Sequence, residues 1–263
     1  FNCFFFFFYL HNFFHILFVV SFCCLYWVFL FLAFNFYLFF FTVFLYFCYF
    51  DHLIRGEEGE LMYEVKEICR NGESLPLTTT DGSLRIVFIG TGSAFAKRRR
   101  QSNILVIQGN HHVLIDCGTQ GPLALNDLGL SVLDVRCYLP THSHADHIGG
   151  LEEVALMNRY TPNISTPDMI ILRDYQDILW SKSLAGGCEY CEANQGRPLQ
   201  LTDFFNILRP QNIEIEGRKF WAYKHGPIEL VIMRTRHFPD TAISVDESQW
   251  CSGVFINRKV WIS

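Results

Sequence analysis

The sequence predicts a layered α/β sandwich, and three observations predict it. Short apolar runs rich in Val, Ile and Leu recur from residue 84 onward, several of them closed by glycine, as buried strands are. A stretch with the period of an amphipathic helix, GLEEVALMNRY (150–160), comes between them. Strands dominate and helices come only at intervals, which favours packed layers over a helical bundle. No internal repeat is visible.

The elements follow in order. LRIVFIG (84–90) is an apolar run ended by Gly90, a buried strand by its length and β-branching. NILVIQG (103–109) and HVLIDCG (112–118) are two more, and the turn GNH between them predicts a hairpin. VRCYLPTHSH (135–144) is a fourth strand that runs straight into a cluster of histidines. DMIILRD (168–174) is again a buried strand, with a helix after it. Ile213–Ile215, Phe220–His225, Ile228–Thr235 and Val254–Ile262 all read as strands, with turns at Glu216–Gly217 and Gly226–Pro227.

Ahead of this series lie two unlike segments. Residues 1–50 contain no Lys, Arg, Asp or Glu and hold 20 of the 27 phenylalanines. Two readings of this apolar piece stand side by side. Its residues can be written with T-rich codons, it lacks the basic n-region of a signal peptide, and the first methionine is Met62. Upstream sequence translated in error, with Met62 as the start, accounts for all three. Alternatively it is a membrane anchor, since it exceeds the roughly 20 residues that cross a bilayer. Residues 51–83 are a polar leader, broken by glycines, with a short helix expected around Leu61–Ile68.

From Met62 to Ser263 there are 20 basic and 22 acidic residues, a net charge of −2. Such a balance argues against a protein that coats itself in nucleic acid. The run Lys97–Arg98–Arg99–Arg100 is the local exception, either a solvated loop or a patch facing phosphate. Six cysteines follow residue 50, at 69, 117, 137, 188, 191 and 251. Their irregular spacing is no disulfide framework and fits a reducing, cytoplasmic setting. Cys188 and Cys191 form a single pair with no second pair for zinc, so an ordinary loop is expected there. His111 and His112 fall at the hairpin tip and are expected in solvent, whereas Trp221, Tyr223 and Trp250 are expected in the core.

The chemistry concentrates in THSHADHIGG (141–150). Side chains alternate along a strand, so His142 and His144 point the same way, a natural half-site for one ion. Asp146 and His147 come as the chain turns toward a helix and can reach a neighbouring point. Imidazole and carboxylate ligands without a nearby thiolate suit Zn²⁺, with Mn²⁺ or Fe²⁺ as alternatives.

With GTGSA (90–94), Ser102–Asn103, LIDCG (114–118), THSHADH (141–147) and RTRHFPDTA (234–242) in that order, residues 84–263 resemble the metallo-β-lactamase superfamily of hydrolases. The early glycine turn, the Ser-Asn and HFPDTA are similar to its ribonuclease Z and phosphodiesterase branch. The resemblance implies an αββα sandwich, incomplete at the C-terminus. It implies that His142, His144 and His237 hold one metal and that Asp146 and His147 hold a second. Asp116 would fix the loop or a ligand histidine by hydrogen bonding, and a bridging Asp is expected only beyond Ser263. Two zinc ions per complete site would share and acidify a water that Asp146 orients. The function implied is hydrolysis of a phosphodiester, in a nucleic acid or a cyclic nucleotide-like small molecule. The alternatives are hydrolysis of an ester, thioester or lactam, or metal binding without catalysis if the bridging Asp is absent. Partners are that substrate and, as an open option, a second copy of the chain. No clear protein partner is indicated, and a membrane enters only if residues 1–50 are genuine.

Overall fold

The computed structural model describes residues 64, 73–192, 196–239 and 241–262. By its contacts the chain divides into two units, 1–69 and 70–263. The apolar segment, the start at Met62 and, apart from residue 64, the helix expected at 61–68 lie outside the described residues. Among the described residues no helix is long and apolar enough to cross a membrane.

Residues 84–208 build a six-stranded sheet whose strands lie in chain order. β1 (Leu84–Gly90), β2 (Asn103–Gln108) and β3 (His111–Ile115) form an antiparallel meander. β4 (Cys137–Leu139), β5 (Asp168–Ile170) and β6 (Asn206–Leu208) then add in parallel to β3. Parallel neighbours need crossovers, and the helices supply them. They are α1 (Gly121–Asn126), α2 (Ala145–Ile148), α3 (Leu151–Tyr160), α4 (Arg173–Leu179) and α5 (Ala185–Cys188). α3 shows why these segments coil: Leu151, Val154, Ala155 and Asn158 are buried at the i, i+3, i+4 and i+7 positions of one stripe. Glu152 and Glu153 in its first turn and Arg159 in its last complement the helix dipole.

The second sheet is antiparallel and has five strands in the order β11-β10-β9-β8-β7. β7 (Gln211–Ile215), β8 (Arg218–His225), β9 (Ile228–Arg234), β10 (Ser252–Ile256) and β11 (Val260–Ile262) contain no helix between them. On β9 every second residue is buried, and Ile228, Leu230 and Ile232 share one core with Leu105, Ile107 and Ile115 of the first sheet. Each such fully buried aliphatic side chain contributes roughly 1.5–3 kcal/mol. β2 is buried along almost its whole length because it is covered on both faces. This is the mixed α/β sandwich expected from the sequence, with the helices of the described residues all in the half that builds the first sheet.

Three expectations need correction. Val254–Ile262 is two strands rather than one, because Asn257 and Arg258 both take left-handed backbone (φ 48° and 57°) and reverse the chain. α1 and β6 were not expected at all: six and three residues are too short for a period to show. His112 is not a solvated tip residue, since its Nε2 accepts the backbone N–H of Arg136 at 2.9 Å. Its neighbour His111 is exposed, as expected, and its ring meets that of His225 edge to face. Trp250 does belong to the core, stacked on Tyr175 with ring centroids 5.9 Å apart.

Candidate metal centre

Most of the site comes from strand ends, and Asp146 and His147 come from the short helix α2. Asp116 follows β3, Thr141 and His142 follow β4, and these two strands are parallel, so their C-terminal ends lie on one edge of the sheet. Ligand sites in α/β proteins favour that edge. His237 arrives from the second sheet, shortly after β9. A bridge between His142 and Cys251, next to β10, ties the two sheets together at this point.

The loop after β3 sets the frame. Asp116 is 7% exposed with φ 61°, a left-handed conformation that Asp tolerates better than most residues. Its backbone N–H is donated to Leu139 O, and Cys117 N–H is donated to His147 O at 2.7 Å. Gly118 is required here, because a Cβ would stand 1.9 Å from the backbone oxygen of Asp146. The close approach presses α2, with Asp146 and His147, against the ends of β3 and β4.

Three imidazoles converge. His142 Nε2 lies 3.0 Å from His144 Nδ1, and His237 Nε2 lies 3.1 Å from the same nitrogen. Among the described residues, His142, His144 and His237 form the group able to offer ligand atoms to one ion, with those atoms all within 4.8 Å of one another. A tetrahedral Zn²⁺ with bonds near 2.0–2.1 Å would space its nitrogens by about 3.3 Å, close to the two short separations. The donor set therefore fits a divalent cation.

Protonation is prepared by one buried carboxylate. Thr141 donates its backbone N–H to Asp116 Oδ1 at 2.7 Å, and its hydroxyl lies 2.9–3.0 Å from both carboxylate oxygens. The same hydroxyl is 3.0 Å from His142 Nδ1. A hydroxyl that donates to Asp116 must accept from His142, which puts the imidazole proton on Nδ1 and leaves Nε2 with its lone pair toward His144. Burial, reinforced by the neighbouring rings of His147, His237 and His144, pushes the His142 pKa down to about 2. His142 is thus neutral at physiological pH, as a ligand must be.

Asp116 acts on His147 as well. His147 Nδ1 donates to Asp116 Oδ2 at 2.6 Å, and its Nε2 stands 3.3 Å from Asp146 Oδ2. Burial alone would lower the His147 pKa, but the hydrogen bond and charge of Asp116, with Asp146 behind it, raise it. The His147 ring centroid is 4.0 Å from that of His142, so Asp146 and His147 adjoin the three-histidine cluster.

The structure thus brings together His142, His144, Asp146, His147, His237 and Asp116, every residue singled out from the sequence. It also shows groups that sequence reasoning passed over. Thr141 is the relay between Asp116 and His142. Tyr175 on α4 meets Ser143 through its hydroxyl at 3.1 Å beneath the loop. Phe238, 57% exposed, sets its ring 6.4 Å from that of His144 at the rim. Asp240, the nearest carboxylate in sequence to His237, lies outside the described residues, and Asp246 is exposed on the loop before β10.

Residues 84–263 match the family model described as Anti-Pycsar protein Apyc1. Relatives of that name include one from Bacillus phage vB_BsuM-Goe3, 40% identical over 124 residues that cover 47% of each chain. Another, from Paenibacillus xerothermodurans, is 41% identical over 161 residues, 61% of this chain and 60% of the relative. The chain thus spans about half to three fifths of the length of the relatives it matches. Among solved structures, the metallo-β-lactamase fold protein YhfI of Bacillus subtilis aligns with a TM-score of 0.46 at 15% identity, over 66% of this chain and 58% of that one. Human tRNase Z, short form, aligns with a TM-score of 0.42 at 16% identity, over 65% and 64%.

Proposed function

The chain belongs to the Anti-Pycsar protein Apyc1 family, and on that premise we propose that it is a metal-dependent hydrolase of phosphodiesters, with cyclic nucleotides as the substrate class. The ribonuclease Z branch expected from the motifs gives way to this family. The observation that carries the reading is the convergence of His142 Nε2, His144 Nδ1 and His237 Nε2 beside a histidine and an aspartate of a second position.

His142, His144 and His237 would hold one divalent cation, and Asp146 with His147 a second. Zn²⁺ fits these nitrogen and carboxylate ligands, and Mn²⁺ or Fe²⁺ could replace it. When bound, such ions supply Lewis acidity and a water acidified toward neutrality. The protein residues do the rest. Asp116 keeps the His147 proton on Nδ1 and, through Thr141, the His142 proton on Nδ1. On binding a cation, each ring would then offer it the Nε2 lone pair, His147 giving up any proton it shares with Asp146 there. The Asp146 carboxylate, beside His147 Nε2, accepts a hydrogen bond from the attacking water and so aims it at the phosphorus. Phe238 at the rim offers an apolar wall to the organic part of the substrate.

A phosphodiester is favoured over an ester, thioester or lactam by the family and by the sequence features shared with phosphodiesterases. The five described cysteines, all free thiols, agree with a cytoplasmic setting. The test compares a 3′,5′-cyclic nucleotide, bis(p-nitrophenyl) phosphate, p-nitrophenyl acetate and a chromogenic lactam as substrates for the zinc-loaded chain. Turnover of the two phosphodiesters with little of the others is expected. Preferential hydrolysis of the acetate or the lactam would overturn the substrate class while leaving the metal centre standing.

A further inference from the structure

A second site lies outside the metal centre. Between β1 and the loop that follows it is a groove of about 510 Å³, lined among others by Phe88, Thr91, Lys97, Arg98, Arg99 and Gln120. Its size is that of a nucleotide-sized ligand pocket, roughly 300–1,000 Å³. We propose that this groove binds single-stranded nucleic acid, with Lys97, Arg98 and Arg99 on the phosphates and the Phe88 ring against a base.

Charge comes first. Of the four consecutive cations, Arg100 is spoken for by an ion pair with Asp127 at 2.9 Å. Among the described residues no carboxylate pairs with Lys97, Arg98 or Arg99, and all three are exposed. Three uncompensated cations around one concavity attract phosphate, and in a chain of near-neutral net charge they are a local feature rather than a general coat.

Aromatic exposure narrows the ligand. Phe88 is 58% exposed although it sits mid-strand, and Phe95 in the basic loop is 86% exposed. Stacking on an aromatic ring contributes about 1–3 kcal/mol per base for single strands and needs no particular sequence. A duplex keeps its base faces inside, and an acidic peptide has no use for the ring. Thr91 and Gln120 add hydrogen-bonding groups in the same concavity.

The loop is also held in place, so the cations need not be gathered on binding. Gly92 N–H is donated to Arg100 O at 2.7 Å and Ser102 N–H to Gly92 O at 3.0 Å, closing the loop at its neck. A Cβ on Gly92 would meet the backbone oxygens of Arg99 and Arg100 at 2.9 Å, so only glycine allows this closure. Gln101 then links the loop to the metal side of the molecule. Its Oε1 accepts from Thr119 Oγ1 at 2.9 Å and from Gln120 N at 3.0 Å, in the segment next to Gly118.

The experiment is fluorescence anisotropy of the full chain with a labelled oligothymidylate of about 12 nucleotides, in the range of single-strand site sizes. EDTA is present throughout, so a metal centre that fails to hydrolyse phosphodiesters would leave the result untouched. Neutralising three phosphates gives a salt slope near −2, so affinity should fall about 20-fold between 50 and 200 mM salt. K97E/R98E/R99E should bind at least tenfold more weakly and with a flatter slope. The milder K97Q/R98Q/R99Q, with an unfolding midpoint like that of the parent, guards against misfolding. Phe88→Ala should lose about fivefold, the equivalent of 1 kcal/mol. Undetectable binding at low salt, unchanged affinity in both triple variants, or a duplex bound as tightly as the single strand would each overturn the assignment.

Discussion

At the scale of single residues, Asp116 organises the centre. One carboxylate, 7% exposed, meets the Thr141 backbone, the Thr141 hydroxyl and the His147 ring. It thereby fixes which nitrogen of two histidines carries a proton, and second-layer partners of this kind typically set metal affinity by 10–100-fold. Thr141→Val keeps the shape and removes the relay to His142. Its zinc affinity, measured by competition with a chelating dye, should fall by roughly 10–100-fold. Unchanged affinity would show that the His142 tautomer is set by something other than Thr141. Asp116→Asn should cost more than Thr141→Val, because it unpins His147 as well. Much of this centre is legible in the sequence. His142, His144, Asp146 and His147 are close in the chain, and strand alternation places the first two together without knowledge of the fold. Thr141 is in the same quoted stretch, but its role depends on Asp116, a residue 25 positions earlier. His237 depends on a strand of the other sheet, so only the resemblance pointed to it.

At the scale of elements, the site hangs on close backbone approaches rather than on helix length. α2 has only four residues and gains its position from Gly118 and from the hydrogen bonds Cys117 N to His147 O and Thr119 N to Ala145 O. Gly118→Ala puts a methyl group into the Asp146 carbonyl, which the backbone must move to accept. Overpacking of this kind costs about 1–3 kcal/mol. Thermal unfolding should show that loss, and zinc binding should weaken with it as Asp146 and His147 shift. A variant with parental stability and zinc affinity would mean that the loop has slack which the close contact hides. Strands written as short apolar runs closed by a turn, such as Ile104–Ile107 of β2 and Val113–Ile115 of β3, are legible from the run, its β-branched residues and the glycine that follows. β6 is hidden, since Asn206–Leu208 continues the apolar Phe204–Phe205 and carries no alternation of its own. α1 leaves one trace in the sequence, Pro122 in its first turn, where proline suits a helix start.

At the scale of the whole molecule, the two sheets meet around groups that respond to acid. His112 on β3 is half-buried, and that desolvation, with the charges of His225, Arg136 and His111 nearby, lowers its pKa from 6.5 to about 4. The unfolded chain takes up the proton near pH 6.5 and the folded chain only near pH 4. Stability therefore falls as pH drops through that window and is unaffected by His112 above it. The unfolding midpoint should decline between pH 6.5 and 4, and His112→Gln should flatten part of that decline. An equal slope in the variant would assign the acid sensitivity to other groups. The central claim, a divalent metal centre built by His142, His144 and His237, is tested most directly by elemental mass spectrometry of the purified full chain beside His142→Ala and His237→Ala. Retention of zinc, manganese or iron by the parent, with loss of most of it in both variants, is the result predicted. A parent that binds none of these metals even when they are supplied, or variants that retain as much as the parent, would contradict it.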